Sequence, residues 1–323
     1  MAAVLVVVLT PAAVNGRRTI TATGRFLCSM PGGGTKPIAG SSIRLMNKNA
    51  HVAIDQKMAL GATAADGSFR LRGRGGDFAI GKGRRPDPYV RLTYTSVGSD
   101  HSLDVDISRG ILRALGNYRG DKTPTMRNKK HSANYGTVTI KTLECQAYVR
   151  FREAMIEFKA RTGRNTPGGF LRVRTRVTFH GGTEYTLYDA IKLPRKSTVT
   201  RTMATHELAH VARHVLDGSQ SHFARDVLKY GYARRHSCDS RTNLGYAFNE
   251  GWAEYWAGEC VGDTVEPLDD YKVEGNVATA LRSLQSRCST TDGKMVQVLE
   301  RSPLNVHSFQ DFRKRHKDLY KCE

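Results

Sequence analysis

The sequence contains no apolar stretch long enough to cross a membrane and no CxxC spacing among its cysteines. A transmembrane helix needs about 20 apolar residues, and the apolar run at residues 2–9 is much shorter, so no transmembrane segment is expected. The chain also lacks a recognisable nucleic-acid-binding module and any interleaving of aromatic with basic residues, which argues against specific nucleic-acid binding. It has no N-x-S/T acceptor, so N-glycosylation is not predicted.

The amino-terminal residues have the order of a secretory leader. The apolar run is followed by Pro11, two alanines and Gly16, directly before Arg17 and Arg18. Although no basic residue precedes the run, this order is typical of a cleaved signal peptide. We therefore predict a signal peptide at residues 1–16 and a secreted, extracellular protein; the alternative is a buried strand of the mature chain.

The cysteines form an even set of six, which in a secreted chain favours disulfides over a cysteine-ligated metal site. If bridges stay within domains, Cys28 pairs with Cys145, because only these two lie in the first half. The pairing of the other four is open. They are Cys238, Cys260, Cys288 and Cys322.

Positive charge is concentrated in the first half of the chain. The formal net charge is +20, and residues 17–150 carry 23 Lys or Arg against 9 Asp or Glu, whereas residues 151–323 carry 27 against 21. Such a field attracts anionic partners, for example a sulfated polysaccharide, an acidic matrix protein or a membrane surface. The alternative is a basic, solvated surface without a dedicated partner.

Residues 17–144 show the period-two alternation of strands between turn-rich segments, which predicts an all-β sandwich. This half resembles the transthyretin-like family of secreted β-sandwich domains. The resemblance implies a binding or structural module rather than a catalytic one. It rests on residues 24–28, 37–45, 65–69 and 87–92.

Residues 145–323 are predicted to form a second, α+β domain. Apolar residues recur at helical spacing up to Gly163, after which two alternating segments, 171–179 and 184–193, predict a hairpin across Gly181-Gly182. A helix capped by Ser197 or Thr198 is expected to end near Leu216. Further helices are predicted near residues 245–260, 271–287, 294–301 and 308–320.

One segment in this half has metal-site spacing. His206, Glu207 and His210 form an HExxH motif on a predicted helix, and histidines four apart lie on the same helix face. Both imidazoles can then reach one Zn²⁺, with Glu207 beside the bound water as general base. Because the neighbouring residues are apolar, two histidines and a carboxylate on a buried helix would be costly without a metal or a partner.

The run from Ala247 to Trp256, AFNEGWAEYW, is similar to the second zinc-binding helix of gluzincin metallopeptidases. The resemblance implies a zincin-like fold, one Zn²⁺ per chain and Glu250 as the third metal ligand. It also implies that Glu254, one turn later, holds a ligating histidine. The interval between motif and glutamate is longer than in the family, which an insertion around residues 222–238 would explain.

That longer interval leaves room for rival ligands. His222 and Asp226 are the main rivals to Glu250, and His214 extends the histidine row but is expected to be a packed or supporting residue. The metzincin pattern would need a histidine at the position of Leu216, so that clan is disfavoured.

The sequence also predicts how a substrate would be held. A donor that stabilises the oxyanion is expected from Tyr232, His236, Tyr246 or His307. The segment at residues 184–191 is expected to be a sheet edge on which a peptide adds as an antiparallel strand. Its contacting residues would be Glu184, Leu187 and Ala190.

The function favoured by the sequence is a secreted zinc metallopeptidase acting on a peptide or protein substrate, endopeptidase or aminopeptidase undecided. The first alternative is a catalytically silent zinc protein that binds through its basic sandwich. The second is a structural matrix or carrier protein. Metal content separates the last from the others, and turnover separates the first two.

Overall fold

The computed structural model describes residues 18–48, 55–76, 85–96, 102–107, 121–177, 184–231 and 236–322. The predicted signal peptide lies outside these residues. Within them the fold is mixed α/β, with two sheets and seven helices. The strands are β1 Arg18–Ser29, β2 Thr35–Pro37, β3 Ser41–Asn47, β4 Gln56–Ala62, β5 Ser68–Gly75, β6 Pro88–Ser96, β7 Ser102–Ile107, β8 Ser132–Ile140, β9 Phe170–Val177, β10 Tyr185–Leu187 and β11 Ala190–Pro194. The helices are α1 Leu143–Thr162, α2 Arg201–Asp217, α3 Gln220–Tyr230, α4 Leu244–Ala257, α5 Glu274–Arg287, α6 Asp292–Glu300 and α7 Phe309–Tyr320.

The smaller sheet has the order β2-β1-β5, with β8 pairing parallel to β1. Burial alternates along β5, where Phe69 and Leu71 are buried and their neighbours are exposed. The turn before β5 requires Gly67: its φ is +82°, and a Cβ there would lie 2.4 Å from the carbonyl oxygen of Phe26. Strands β1, β5 and β8 of the half predicted to be all-β thus lie in one sheet.

The larger sheet has the order β10-β11-β9-β7-β6-β3-β4. It contains strands from both sides of residue 144, because β9 pairs in parallel with β7. The predicted hairpin between 171–179 and 184–193 is wrong. β9 and β11 are parallel, and residues 184–193 themselves form a hairpin of β10 and β11. Period-two alternation sets the face of each side chain but not the direction of the neighbouring strand.

The helices follow the predicted pattern with two differences. Thr200, not Ser197 or Thr198, caps α2: its hydroxyl accepts a hydrogen bond from the backbone N–H of Met203. Helix α3 is not among the predicted helices and lies where the sequence predicts only an insertion. Its ends carry regular signals, since Ser219 caps its N-terminus and Gly231 adopts the left-handed conformation at its C-terminus.

Three disulfides join the cysteines: Cys28–Cys145, Cys238–Cys260 and Cys288–Cys322. The pairing expected for Cys28 is confirmed, and it ties β1 to the first turn of α1. Extracellular proteins commonly carry such bridges. Among the described residues, no helix is long and apolar enough to cross a membrane.

Candidate metal centre

Two packed helices carry the candidate ligands. On α2, Leu208 and Ala209 are buried in the core, which turns His206 and His210 towards α4. The indole N–H of Trp252 donates a hydrogen bond to the backbone oxygen of Ala209 at 3.3 Å and fixes the spacing of the two helices. Glu250, half a turn before Trp252, then lies opposite the histidines.

Three ligand atoms converge at the α2–α4 contact. Nε2 of His206 lies 3.1 Å from Nε2 of His210. Oε2 of Glu250 lies 3.5 Å from the first nitrogen and 3.2 Å from the second. A tetrahedral ion with zinc-like bonds of about 2.0 to 2.1 Å would hold its ligands about 3.3 Å apart. The three residues could therefore share one metal ion without a change of rotamer.

The charges of this triangle depend on one another. Burial disfavours the ionised form of Glu250, but the two imidazoles outweigh burial and hold the pKa of that carboxyl well below its usual range. Burial likewise disfavours the charged form of His206, but the hydrogen bond and charge of Glu250 raise its pKa to about 9. The pocket thus stabilises a positive charge at the meeting point of the three side chains.

Supporting side chains surround the triangle. Oε1 of Glu254 lies 3.4 Å from Nδ1 of His206, the nitrogen that faces away from the triangle. This is the position expected for a carboxylate that fixes the tautomer of a ligand. The Asn249 amide donates to Oε1 of Glu250 at 3.0 Å. Burial raises the pKa of Glu254 to about 7.

Glu207 lies on α2 beside the ligands and is 6% exposed. Its Oε2 accepts a hydrogen bond from the hydroxyl of Thr186 at 2.5 Å. Thr186 is on β10, the end strand of the larger sheet, so the predicted edge segment does contact the predicted general base. Of the residues expected to touch a peptide, Glu184 and Leu187 lie at this edge, whereas Ala190 is on β11 inside the hairpin.

His236 is a candidate oxyanion donor that lies beside the triangle. Its Nε2 is 3.7 Å from Oε2 of Glu250, and its Nδ1 is 2.8 Å from the buried carboxylate of Glu274. Burial disfavours the imidazolium, but the hydrogen bond with Glu274 outweighs burial, so the pKa of His236 is raised. The ring of Tyr246 packs edge-on against His236 at 5.5 Å. Tyr232 lies outside the described residues.

The alternative metal ligands considered from the sequence do not lie at the triangle. His214 packs against Phe223, and its Nε2 lies 3.1 Å from Oδ1 of Asn249, so it is a packed histidine, as expected. His222 and Asp226 lie on α3, where their neighbour is His307 rather than His206 or His210. His307, predicted as a possible oxyanion donor, therefore belongs to a separate cluster.

Three residues around the centre were not identified from the sequence: Thr186, Glu274 and Arg213. Arg213 is 2% exposed, and it donates to Oδ1 of Asn249 at 3.2 Å while its guanidinium lies 3.7 Å from Asp217. An arginine on the buried face of the HExxH helix is itself a signal, because an arginine is almost never buried without a partner. Thr186 and Glu274 carry no such signal in the sequence.

No protein-family model matches the chain, and no curated protein matches it. Among solved structures it is similar to a 9R-lipoxygenase from Cyanothece PCC8801, with 12% identity, a TM-score of 0.24 and coverage of 65% of this chain and 25% of that chain. It is also similar to the major plantain pollen allergen Pla l 1, with 14% identity, a TM-score of 0.22 and coverage of 38% and 93%. The chain thus spans about a quarter of the lipoxygenase. TM-scores this low indicate neither a shared fold nor a shared function.

Proposed function

We propose that this protein is a secreted zinc metallopeptidase of the gluzincin type, with a transthyretin-like sandwich in its first half. The observation that carries the proposal is the triangle of His206, His210 and Glu250, whose ligand atoms lie 3.1 to 3.5 Å apart, with Glu207 adjacent. Two imidazoles and a carboxylate are a ligand set that catalytic zinc sites use, leaving one position for water or substrate.

The side chains then have distinct roles. His206, His210 and Glu250 would hold the ion, and a bound zinc ion supplies Lewis acidity and lowers the pKa of water. Glu207 acts as general base: Thr186 occupies its Oε2, which leaves Oε1 to take a proton from water and pass it to the leaving amine.

His236 is the proposed oxyanion donor. Its Nδ1 is held by Glu274, which orients Nε2 towards the ligand triangle. Because the donor is fixed before the substrate binds, the developing negative charge is stabilised without reorganisation of the site. Glu274 acts through His236 and is therefore a positioning residue.

The proposed substrate is an extended peptide paired with β10. Leu187 and Ala190 close a two-residue hairpin turn, and such a closing pair exchanges both of its hydrogen bonds within the hairpin. The outward backbone groups of β10 are then those of Thr186, the residue that contacts Glu207. A peptide added at this edge would pass directly in front of the general base.

The first half offers a surface for an anionic partner. Arg70, Arg72 and Arg74 are exposed at alternate positions of β5, so they lie on one face about 7 Å apart. On the neighbouring strand β1, the residues paired with these arginines are threonines rather than acidic residues. This row of charge supports the proposal that a sulfated polysaccharide or another anionic surface binds here.

The proposed activity is tested with a mixed peptide library, the zinc-loaded full chain and mass-spectrometric identification of products. Glu207→Gln is the matched control, since it preserves the shape of the side chain and removes the base. We expect cleavage by the parent chain, loss of turnover by at least a hundredfold in the variant, and equal zinc content in both. Product ends distinguish internal from terminal cleavage.

Two outcomes contradict the peptidase. If both proteins hold one zinc at the triangle and neither cleaves any peptide, the protein is a zinc-containing binding protein that acts through its basic sandwich. If His206→Gln binds as much zinc as the parent chain, the triangle is not the metal site and the structural alternative is favoured.

A further inference from the structure

A second cluster of metal-ligand side chains lies between α3 and the segment before α7. Nδ1 of His307 is 3.2 Å from Oδ2 of Asp226, and Nε2 of His222 is 3.8 Å from Oδ1 of the same carboxylate. One ligand atom from each residue lies within 4.8 Å of the others. The rings of His222 and His307 are 5.0 Å apart. The cluster shares no residue with the triangle at Glu250.

Two of its polar atoms are buried without a partner. His222 is 5% and Asp226 is 3% exposed. Among the described residues, Nε2 of His222 and Oδ1 of Asp226 have no hydrogen-bond partner. A buried polar atom left unpaired costs about 1 to 3 kcal/mol, so folded proteins rarely leave two of them facing each other. A ligand that accepts electron pairs from both atoms would remove this cost.

We propose that His222, Asp226 and His307 bind a second divalent transition-metal ion. Two imidazoles and one carboxylate suit zinc and its neighbours, and they are poor ligands for magnesium or calcium, which prefer oxygen. His307 Nδ1 and His222 Nε2 lie 3.2 and 3.8 Å from different oxygens of Asp226, so this carboxylate offers each imidazole an oxygen near the separation of about 3.3 Å expected around a tetrahedral zinc ion. His307, with 24% of its side chain exposed, leaves a path for the ion to enter.

The position of the cluster makes this a structural site. His222 and Asp226 lie one helical turn apart on α3, and His307 lies in the connection between α6 and α7. The same connection is tied to α2, because the N–H of Leu304 donates to the backbone oxygen of Asp217 at 2.5 Å and Arg213 donates to that of Val306. A metal ion would fasten α3 to this frame, as structural zinc sites do.

The second site is linked to the first through one side chain. Arg213 contacts Asp217, whose backbone oxygen binds the segment that carries His307, and Asn249, which donates to Glu250. The link is structural, and the proposal for the second site does not depend on peptidase activity. A failed peptidase assay therefore does not contradict the proposed second metal site. Likewise, a metal titration that finds no second site does not contradict the proposed peptidase activity.

The experiment is a zinc titration of the full chain and its variants, with metal content measured after gel filtration and Tm measured by calorimetry. We expect two equivalents in the parent chain, one in His307→Gln and one in the double variant His206→Gln/His210→Gln. We also expect Zn²⁺ to raise the Tm of that double variant, because the remaining ion binds only the folded chain. Adding Asp226→Asn should abolish both the binding and the Tm shift.

His131→Gln, at an exposed histidine, is the matched control and should keep two equivalents. His307 is partly exposed, so its substitution tests the site even if a variant of the buried ligands does not fold. A single equivalent in the parent chain that His307→Gln leaves unchanged overturns the proposal. So does a double variant that binds no zinc while keeping its fold by circular dichroism.

Discussion

The hydroxyl of Thr186 donates a hydrogen bond to Oε2 of Glu207 at 2.5 Å, and so joins the edge strand of the larger sheet to the HExxH helix. The same hydroxyl lies 3.3 Å from the backbone oxygen of Glu207. Thr186 therefore fixes both the side chain and the register of Glu207 relative to β10. In the proposed mechanism, this one residue would position both a peptide at that edge and the general base.

Thr186→Val should lower kcat/KM by about tenfold to a hundredfold, because hydrogen bonds to charged groups contribute about 1.5 to 3 kcal/mol. Zinc content should not change, since Thr186 contacts none of the three proposed ligands. Thr186→Ser retains the hydroxyl and should retain most of the activity. Equal kcat/KM for the parent and valine chains would show that Glu207 is oriented by other contacts.

The sequence predicted the helix positions well, because their caps and apolar spacing are local signals. It also predicted that His206 and His210 share a helix face, which follows from a spacing of four alone. It did not predict the parallel pairing of β9 with β11. That pairing depends on how a strand returns to the sheet, and the predicted Gly181-Gly182 turn lies outside the described residues.

The contacts that complete the candidate site were less predictable. Thr186 and Glu274 come from elements that reach the site only in three dimensions, and neither has an unusual residue beside it in sequence. His222 and Asp226 are rivals for the first centre on sequence because they lie in the long interval between the HExxH motif and Glu250. Once α3 is present, their side chains lie beside His307.

Glu274→Gln should lower kcat with little change in KM, because Glu274 orients His236 without touching substrate. His236→Gln should have the larger effect, a loss of roughly a hundredfold to a thousandfold for an oxyanion donor. In the double variant the two losses should not add, since Glu274 acts through His236. Steady-state kinetics at fixed zinc content measures this, and additive losses would exclude the positioning role.

Gly251→Ala should destabilise the fold and weaken zinc binding. A Cβ at Gly251 would lie 2.6 Å from Cβ of Val277 and 2.9 Å from the backbone oxygen of Glu274, so α4 must move away from α5 and carry Glu250 with it. Overpacking of this kind costs about 1 to 3 kcal/mol. Urea unfolding and zinc affinity measure the two effects.

Val277→Ala tests whether the contact with Val277 causes the loss of stability in Gly251→Ala. If the valine is the obstacle, the double variant Gly251→Ala/Val277→Ala should be more stable than the sum of the single changes predicts. Strict additivity would show that the strain arises at the backbone of Glu274 instead.

Neutralising the β5 arginines should weaken binding to a sulfated polysaccharide. The triple variant Arg70→Gln/Arg72→Gln/Arg74→Gln should elute from immobilised heparin at lower salt than the parent chain, because the interaction is electrostatic and screened by salt. The matched control removes three exposed charges from α7, through Arg313→Gln/Lys314→Gln/Lys317→Gln. Equal loss in both variants would indicate a response to net charge rather than to the β5 row.

His316→Gln should make the protein less sensitive to mild acid. His316 is fully buried on α7, with the Tyr320 ring 5.0 Å away, and burial lowers its pKa from 6.5. Between these pKa values the unfolded chain binds a proton that the folded chain does not, so the free energy of unfolding falls as pH falls below about 6.5.

The contribution of neutral His316 to the free energy of unfolding is complete above the pKa of the unfolded chain. It is lost as the pH falls towards the lower pKa of the folded chain, with a slope of at most about 1.4 kcal/mol per pH unit for a single group. Urea midpoints at pH 7.5 and 5.5 should therefore differ less in His316→Gln than in the parent chain. His131→Gln changes an exposed histidine and should keep the parent difference. If both variants keep the parent difference, the acid sensitivity of the fold arises at groups other than His316.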